Sequence, residues 1–597
     1  MLHLQNLSVL ILGLGDSGLA MARWCARHGA VRIRVWDSRA TPPQLSGLQA
    51  DVPTAEFFSG ALAAEALDDA RLVLKSPGLS PLDDKVQPLL QAAQAVRIRV
   101  AGELDLFARA LADLKLQRRY APKVLAITGT NGKTTTTSLT AMLVERAGRR
   151  VTMAGNIGPT MLDTLAAALD LEPAPHAPAA ETEAMAQALE VPEASAHDSA
   201  PVDEVPDETP ELMALDGASE QDVAAASQDS LPAEPPAALE DDAPLVLAPP
   251  PEQAPVFEHL PEVWVLELSS FQLDGVQGFE PDAATVLNVT QDHLDWHGSM
   301  ATYAEAKSRI FGQTALMVIN REDTTVEAMV PPPVLVKGGR GRPTKAVTRP
   351  LVRFGLDAPQ HGGDFGLITE GGMAWLVRAM PVDETIKRRK GEEEEILLQR
   401  LMPADALRVR GRHNAANALA ALALATAIGC PLAPMLHGLR EYRGEPHRVE
   451  LVGQVGGVEA FDDSKGTNVG ATVAALQGLG ADKLSSKLVV ILGGDGKGQD
   501  FGPLAAPVAR HVRAVATLGK DAEAIEQALA DTAVPLQRHA DLPSAVRWAF
   551  EQAQAGDAVL LSPACASLDM FRNYAHRAEV FIDAVKALAE ERGEMIA

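Results

Sequence analysis

Cysteine is scarce in this chain, and its spacing excludes two common ways of cross-linking a fold. The 597 residues include three cysteines, Cys25, Cys430 and Cys565, which lie far apart and form no CxxC pair. A disulfide framework is indicated by a larger, even number of cysteines, and a structural zinc site by pairs such as CxxC. The sequence therefore predicts neither, and it favours a reducing compartment such as the cytoplasm.

Long apolar runs and an excess of positive charge are also lacking. No apolar stretch approaches the ~20 residues that a membrane-spanning helix needs. The early run at residues 9–14 leads directly into glycines, which is typical of a buried strand and not of a signal peptide. A formal net charge of -26 would repel a nucleic-acid backbone. We predict no membrane insertion and no nucleic-acid partner.

Residues 171–260 contain no lysine or arginine at all. They hold 21 acidic residues, 15 of the 41 prolines and a single aromatic residue, Phe257. Such a segment cannot bury enough apolar surface to offset the entropy lost on ordering. We predict a long disordered, acidic, Pro/Ala-rich insertion over residues 165–261.

The remaining chain alternates between strand patterns that end in glycine and helical patterns. This alternation is typical of α/β proteins with parallel sheets, and the length exceeds what one hydrophobic core serves. We predict three domains, at residues 1–112, 113–444 and 445–597. The polar stretch at 331–371 and the charged run at 387–395 are assigned no strands.

A glycine turn follows the first predicted strand. Gly13, Gly15 and Gly18 form a GxGxxG pattern, and Asp37 ends the next strand. Such glycines let the backbone approach a phosphate at a helix N-terminus, where a nearby acid commonly binds ribose. Alone, the pattern indicates either an NAD-dependent dehydrogenase or a tight turn without a ligand.

A second phosphate-binding pattern, GTNGKT, occupies residues 129–134 between a strand and a helix. Its backbone amides and Lys133 would face phosphates, and the Thr134 hydroxyl would hold Mg²⁺. Ile127 stands where the GxxxxGK[ST] pattern has its first glycine. We predict a nucleotide phosphate site here.

Other polar residues lie at predicted strand ends. Glu267 is suited to bind Mg²⁺, although a buried, hydrogen-bonded acid is the alternative. His293 is either a ligand or a helix-capping or core residue, and Lys307 alone would be a solvated helix lysine. Further polar clusters occur at residues 411–417, 462–468, 493–497 and 562–569. Ligand sites of α/β sheets lie at such strand ends.

Together these motifs resemble those of the Mur ligases. GTNGKTT, LELSSFQL, NVTQDHLD, GRHNAANALAA, PHRVE, DDSKGTN, GGDGK and LSPACASLDMF occur in that family's order, over nearly all of the chain outside 165–261. The last two motifs are similar to those of the member that adds D-glutamate. The resemblance implies an N-terminal Rossmann-like domain, a central P-loop-type ATPase and a C-terminal Rossmann-like domain. It also implies that the glycine turn binds the uridine diphosphate of a substrate instead of NAD.

The resemblance implies a set of residues for each ligand. The UDP-substrate set is Asp16, Ser17, Asp37, Ser38, Arg39, Gly78, Asn156 and His293. The ATP set is Gly129, Asn131, Gly132, Lys133, Thr134, Thr135, Asn414, Asn417, Arg448, Asp463 and Lys465. The D-glutamate set is Thr467, Lys497, Ser567, Leu568 and Tyr574, the last standing where we expect phenylalanine. Two Mg²⁺ ions would lie near Thr134, Glu267, His293 and a carbamylated Lys307. The residues expected to act in catalysis are Lys133, Glu267, His293, Lys307 and Lys465.

The implied reaction is ATP-dependent amide formation between UDP-N-acetylmuramoyl-L-alanine and D-glutamate through an acyl phosphate, by a cytoplasmic monomer in peptidoglycan precursor synthesis. One alternative is a related ligase that adds another amino acid, or that adds glutamate to folate, but the motif at 562–571 argues against it. In an NAD-dependent oxidoreductase, GTNGKTT and DDSKGTN would have no role. A non-catalytic scaffold would tolerate the loss of Lys133 and Glu267, and both are present.

Overall fold

A computed structural model of the protein describes residues 4–173, 255–336, 345–382, 395–409, 411–482 and 486–594. Residues 1–172 and 255–597 form one compact unit, and a second unit spans 173–254. The predicted insertion between 174 and 254, and most of the charged run at 387–395, lie outside the described residues. Among the helices of the described part, none combines the length and the apolar composition needed to cross a membrane.

The first sheet is parallel and lies near the N-terminus. Its strands are β1 (Ser8–Leu12), β2 (Arg32–Asp37), β3 (Glu56–Ser59), β4 (Leu72–Lys75) and β5 (Arg99–Ala101), in the order β3-β2-β1-β4-β5. Its helices are α1 (Asp16–Arg27), α2 (Leu45–Asp51), α3 (Gln87–Ala95) and α4 (Glu103–Arg118). The strand order reverses between β1 and β4, which is where open α/β sheets bind ligands.

The second sheet has nine strands. They are β6 (Lys123–Thr128), β7 (Val151–Gly155), β8 (Val263–Glu267), β9 (Ala283–Val286), β10 (Leu316–Asn320), β13 (Leu351–Phe354), β14 (Phe365–Glu370), β15 (Met373–Pro381) and β16 (Ile396–Pro403). Their order is β16-β15-β14-β13-β10-β9-β6-β8-β7. Strands β11 (Val334–Val336) and β12 (Lys345–Val347) form a separate antiparallel pair.

Eight helices accompany the second sheet in the described ranges. They are α5 (Lys133–Arg146), α6 (Met161–Leu171), α7 (Ser270–Leu273), α8 (Leu294–His297), α9 (Met300–Ser308), α10 (Thr324–Glu327), α11 (Arg412–Ala427) and α12 (Leu432–Glu441). Helix α11 is buried along most of its length, because its alanines allow close packing against α5 and the sheet.

The strands in the region from β11 to β16 were not expected. The sequence was assigned no strand over 331–371, yet β13 and β14 lie there, and β14, β15 and β16 pair antiparallel. Most of these strands are only half-buried, and Phe354 and Phe365 are among the few fully buried side chains. Antiparallel edge strands can face water on one side, so they lack the continuous apolar run of a central parallel strand.

The third sheet is mostly parallel. Its strands are β17 (Glu450–Val455), β18 (Val458–Asp462), β19 (Leu488–Gly493), β20 (Val512–Leu518), β21 (Leu536–Arg538) and β22 (Ala558–Leu561), in the order β17-β18-β22-β19-β20-β21, with β17 antiparallel to β18. Its helices are α13 (Val469–Asp482), α14 (Ala505–His511), α15 (Ala522–Leu529), α16 (Leu542–Gln552) and α17 (Tyr574–Glu591). The expected three-domain α/β architecture is confirmed.

The hydrophobic cores do not divide evenly among the sheets. One continuous core joins a face of the first sheet to a face of the second, through residues such as Trp24, Phe107 and Trp264. The two cores of the third sheet draw their buried residues from 455–589 alone. The first two domains are therefore fused by packing, whereas the C-terminal domain is packed independently of them.

The predicted insertion, residues 165–261, includes residues at both ends that belong to the folded domain. Helix α6 continues to Leu171, with Leu165 fully buried, and Leu260 is fully buried on the returning chain. The Glu172 carboxylate accepts hydrogen bonds of 2.7–2.8 Å from the backbone N–H groups of residues 258–260. Phe257, the one aromatic residue of the acidic segment, packs edge-on against Tyr120. These contacts hold the two ends of the segment together on the folded domain.

Candidate active site

The phosphate loop follows β6 and leads into α5. Gly132 is the N-cap of α5 with φ +82°, and a Cβ there would lie 2.6 Å from Asn417 Oδ1, so both conformation and space require glycine. The Asn288 side chain fixes the backbone of Asn131 in the same loop. Its Oδ1 accepts a hydrogen bond from Asn131 N (2.8 Å), and its Nδ2 donates one to Asn131 O (3.1 Å). The loop is therefore preformed by contacts within its own domain.

Lys133 begins α5 and points back over this loop. Its Nζ donates to the carbonyls of Gly129 (3.0 Å) and Thr130 (2.8 Å). Burial lowers the pKa of Lys133, the Glu267 carboxylate raises it in part, and Arg448 lowers it further. The amino group thus lies in an electrostatic environment shaped by two domains.

Glu267 ends β8 beside the phosphate loop and is 1% exposed. Its Oε1 accepts a hydrogen bond of 2.9 Å from Asn156 Nδ2, whereas its Oε2 has no hydrogen-bond partner among the described residues. A buried carboxylate oxygen without a partner is costly, and a hard cation such as Mg²⁺ would satisfy it. The donor set therefore fits a magnesium ion.

Lys307 lies on α9 and is 1% exposed, so it is not the solvated helix lysine that its sequence context alone suggested. Its Nζ donates to Gly129 O (2.8 Å) and lies 4.5 Å from the centre of the Tyr303 ring. Burial lowers the pKa of Lys307 well below its ordinary value, and nearby Lys133 lowers it further. No carboxylate lies within ion-pair distance of Lys307 in the described part of the chain.

His293 precedes α8 with a left-handed backbone (φ 52°). Its Nε2 lies 3.5 Å from Asp292 Oδ2, and its ring contacts Phe271 edge-on. Burial lowers the pKa of His293, Asp292 opposes that effect, and Lys497 of the C-terminal domain contributes to the lowering. Charges from two domains therefore act on the His293 ring.

Residues predicted to bind ATP meet between the second and third sheets. Eight of the eleven line one cavity: Asn131, Gly132, Thr135, Asn414, Asn417, Arg448, Asp463 and Lys465. That cavity shares six lining residues with a neighbouring one of about 740 Å³. Of the other three, Lys133 and Gly129 form the adjoining loop, and the Thr134 hydroxyl accepts a hydrogen bond from Arg448.

Asp463 is an unusual acid in this cleft. Burial raises the pKa of Asp463 to about 7, although its Oδ2 accepts a hydrogen bond of 2.6 Å from Ser562 Oγ. Close by, Lys465 Nζ lies 3.7 Å from the centre of the Tyr574 ring. This contact joins a residue predicted for ATP to one predicted for D-glutamate.

The remaining residues predicted to bind D-glutamate lie on loops after β18, β19 and β22. The loop after β18 carries Thr467 and is hydrogen-bonded to the loop after β22, through Ala564 N and Gly466 O (3.0 Å). Backbone hydrogen bonds of 2.8–3.0 Å between Asp495 and Ala566 join the loop after β22 to the loop after β19, which carries Lys497. Ser567 is buried, whereas the Leu568 side chain is exposed.

Residues predicted to bind the UDP part surround the reversal point between β1 and β4. Asp37 is buried, and a hydrogen bond from the Arg39 guanidinium holds the pKa of Asp37 at about 2. Ser17 Oγ donates to Glu103 (2.7 Å), and Asp16 accepts from Gln44 (2.7 Å). Ser38 and Gly78 are exposed on the loops after β2 and β4. Asn156 and His293, predicted for the same substrate, lie on segments that follow β7 and β9 of the second sheet.

Several contributors to the site were not assigned roles from sequence. Asn288 hydrogen-bonds to the backbone of the phosphate loop, and Asp292 contacts His293. The Tyr303 hydroxyl lies 3.1 Å from Thr130 Oγ1, and the Tyr303 ring faces Lys307. Asn288 and Asp292 lie inside the NVTQDHLD motif that follows the buried strand β9, and this position is a signal that the sequence offers. Tyr303 lies on α9, four residues before Lys307, and has no such signal.

Three family models match this chain. They are "Mur ligase MurD-like, N-terminal domain" over residues 7–102, "Mur ligase middle domain" over 127–206 and 253–335, and "Mur ligase, glutamate ligase domain" over 447–565. The chain belongs to the Mur ligase family, since relatives of that family match it over nearly its whole length at about half identity.

Two of these relatives carry the same name. The UDP-N-acetylmuramoylalanine--D-glutamate ligase of Albidiferax ferrireducens is 53% identical over 592 residues, covering 99% of this chain and 98% of its own. The ligase of that name from Burkholderia pseudomallei is 51% identical over 599 residues, with 99% and 98% covered. The solved UDP-N-acetylmuramate-alanine ligase of Thermotoga maritima has a TM-score of 0.47 at 17% identity, covering 97% of this chain and 99% of its own, a likeness too low to add to the assignment.

Proposed function

We propose that this protein joins UDP-N-acetylmuramoyl-L-alanine to D-glutamate, consuming ATP and forming ADP and phosphate. The observation that carries the proposal is the cleft in which eight predicted ATP residues from two domains line one cavity. Beside the phosphate loop that leads into this cavity, Glu267 Oε2 has no hydrogen-bond partner among the described residues. The names of the relatives indicate the two substrates. We further propose that the protein acts in the cytoplasm, where its three buried free cysteines would stay reduced, and that it acts as a monomer.

In the first step, the alanine carboxylate attacks the γ-phosphorus of ATP. The bond from that phosphorus to the bridging oxygen breaks, and ADP leaves with the electron pair, giving an acyl phosphate. Lys133, Arg448 and Lys465 neutralise the phosphate charge and hold the nucleotide in line. Bound Mg²⁺, held by Glu267, Thr134 and His293, would supply the remaining charge neutralisation.

In the second step, the D-glutamate nitrogen attacks the acyl carbon. The bond from that carbon to the phosphate oxygen breaks, phosphate leaves, and the nitrogen loses a proton. Lys497, Ser567 and Thr467 hold the amino acid on the side of the third sheet. Two metal ions and a carbamate on Lys307 also belong to the proposal, because a carbamate would replace a buried ammonium by two anionic oxygens.

The direct test measures ADP release by the purified protein with Mg²⁺-ATP. We expect release only when UDP-N-acetylmuramoyl-L-alanine and D-glutamate are both present, together with a product whose mass corresponds to the amide. L-glutamate, D-alanine and diaminopimelate serve as competing amino acids. Release that depends on one of these instead of D-glutamate would overturn the assigned substrate.

Lys497→Ala should weaken binding of D-glutamate selectively. A charge-assisted hydrogen bond to a carboxylate contributes about 1.5–3 kcal/mol, so KM for D-glutamate should rise at least about tenfold. KM for ATP should change much less. Lys586→Ala is a matched control, since Lys586 is an exposed lysine on α17 of the same domain. A rise in KM for ATP instead would place Lys497 in the nucleotide site.

Deleting residues 174–254 and joining the ends through a short linker should leave turnover within about threefold of the full chain. The Glu172 contacts already hold the two ends together, and loop-closure entropy grows only with the logarithm of loop length. Steady-state turnover and thermal unfolding of both proteins would be compared. Normal unfolding with lost activity would show that the segment takes part in catalysis.

A further inference from the structure

Asn468 lies directly before α13 and is 5% exposed. Its Oδ1 accepts a hydrogen bond of 2.9 Å from Ala471 N, as an N-cap residue does. A helix cap needs only an acceptor, so this contact leaves the amide nitrogen of Asn468 without a capping role. That nitrogen points to another domain.

The side chains of Asn468 and Asn131 form a reciprocal pair across the domain boundary. Asn468 Nδ2 donates to Asn131 Oδ1 (3.0 Å), and Asn131 Nδ2 donates to Asn468 Oδ1 (3.3 Å). Asn468 Nδ2 also lies 3.5 Å from Asp292 Oδ2. The pair therefore joins the start of α13 to the phosphate loop and to the residue beside His293.

The contact is close-packed as well as polar. A Cβ on Gly470 would lie 3.0 Å from Thr290 Oγ1 and 3.1 Å from Asn131 Nδ2. Because the Asn131 backbone is itself held by Asn288, the loop cannot follow α13 if the C-terminal domain withdraws. The amide pair therefore forms only when the two domains are together.

We infer that Asn468 is a positioning residue that couples the amino-acid site to the phosphate loop by stabilising the closed arrangement of the C-terminal domain. The inference rests on the proposed function, which assigns the neighbouring Thr467 to D-glutamate and Lys465 to ATP. Each ligand then binds more tightly when the other has closed the domains, and this coupling is reciprocal.

Asn468→Asp separates this role from helix capping. Aspartate still accepts from Ala471 N, but it cannot donate to Asn131, and it faces the Asp292 carboxylate. We expect KM for D-glutamate and KM for ATP each to rise about tenfold, because both measured values include the fraction of closed protein. Thermal unfolding without ligands should stay unchanged. Asp541→Asn is the control. It makes the reverse exchange at the N-cap of α16, and it shows what exchanging aspartate and asparagine at a helix cap does by itself.

Two further measurements distinguish positioning from a structural role. In a double-mutant cycle, Asn131→Ala with Asn468→Ser, which keeps an acceptor for the helix cap, should lose no more activity than the worse single variant, because the pair acts as a unit. Small-angle scattering should show that Mg²⁺ with a non-hydrolysable ATP analogue compacts the native protein more than Asn468→Asp. Fully additive losses, or equal compaction with unchanged KM values, would overturn the inference. The scattering readout needs no ligation, so it stays informative if the proposed amino-acid substrate is wrong.

Discussion

Glu267→Gln should reduce ATP-dependent ligation at least about a hundredfold, the scale of removing one preorganised electrostatic contact from a reacting centre. The exchange preserves volume and the acceptor for Asn156 Nδ2, while it removes the charge that fits Mg²⁺. Because Glu267 Oε2 has no partner in the described protein, the metal-free fold should tolerate the change. The thermal midpoint without Mg²⁺ should shift by no more than about 4 °C.

The same variant should lose the stabilisation that ligands confer. Mg²⁺ with an ATP analogue should raise the midpoint of the native protein, since ligands that bind only the folded state stabilise it. The rise should be much smaller for Glu267→Gln and for Lys133→Met. Glu305→Gln, an exposed acid on α9, is the matched control. Near-native turnover in a normally folded Glu267→Gln protein would exclude the proposed ATPase site.

Lys307→Ala should be nearly inactive, and bicarbonate or short carboxylates such as acetate should restore part of the activity. Alanine leaves a cavity next to Gly129 O in which a small carboxylate can take the place of a carbamate. Loss of about a hundredfold or more is expected, as for removal of other groups that stabilise charge at the reacting centre. Turnover measured against carboxylate concentration checks the rescue.

A spectroscopic comparison tests the carbamate without relying on turnover. Native protein equilibrated with ¹³C-bicarbonate should give a carbamate carbonyl signal that is absent from Lys307→Ala. Lys123→Ala, which alters a lysine paired with Asp282 at the surface, should keep both the signal and the activity. Full activity of Lys307→Ala without added carboxylate would contradict the proposal.

The sequence predicted the buried parallel strands correctly. The strand before GTNGKT and the strand that ends at Glu267 are interior strands of the second sheet, where both neighbours are parallel and all residues except Lys123 are buried. Such strands are continuous apolar runs and can be found directly. Strands β14 to β16 could not, because half-buried antiparallel strands carry charged residues on the solvent face.

Contacts between distant segments had no local signature. Asn131 and Asn468 are 337 residues apart, and each belongs to a motif with a sufficient local explanation, a loop turn and a helix cap. The predicted bounds of the insertion are wrong for a related reason. Composition averaged over many residues could not reveal that Glu172 and Leu260 belong to the folded domain, because single buried contacts decide such boundaries.

The independent cores of the C-terminal domain have a consequence for the energy of its motion. Rotating this domain away would break polar contacts such as Asn131 with Asn468, and the apolar cores formed by the described residues would stay intact. Opening therefore costs only the net value of a few hydrogen bonds, each about 1 kcal/mol, because water replaces the lost partners. Because one bound nucleotide can reverse an equilibrium balanced so narrowly, we expect substrate occupancy to set whether the cleft is open or closed.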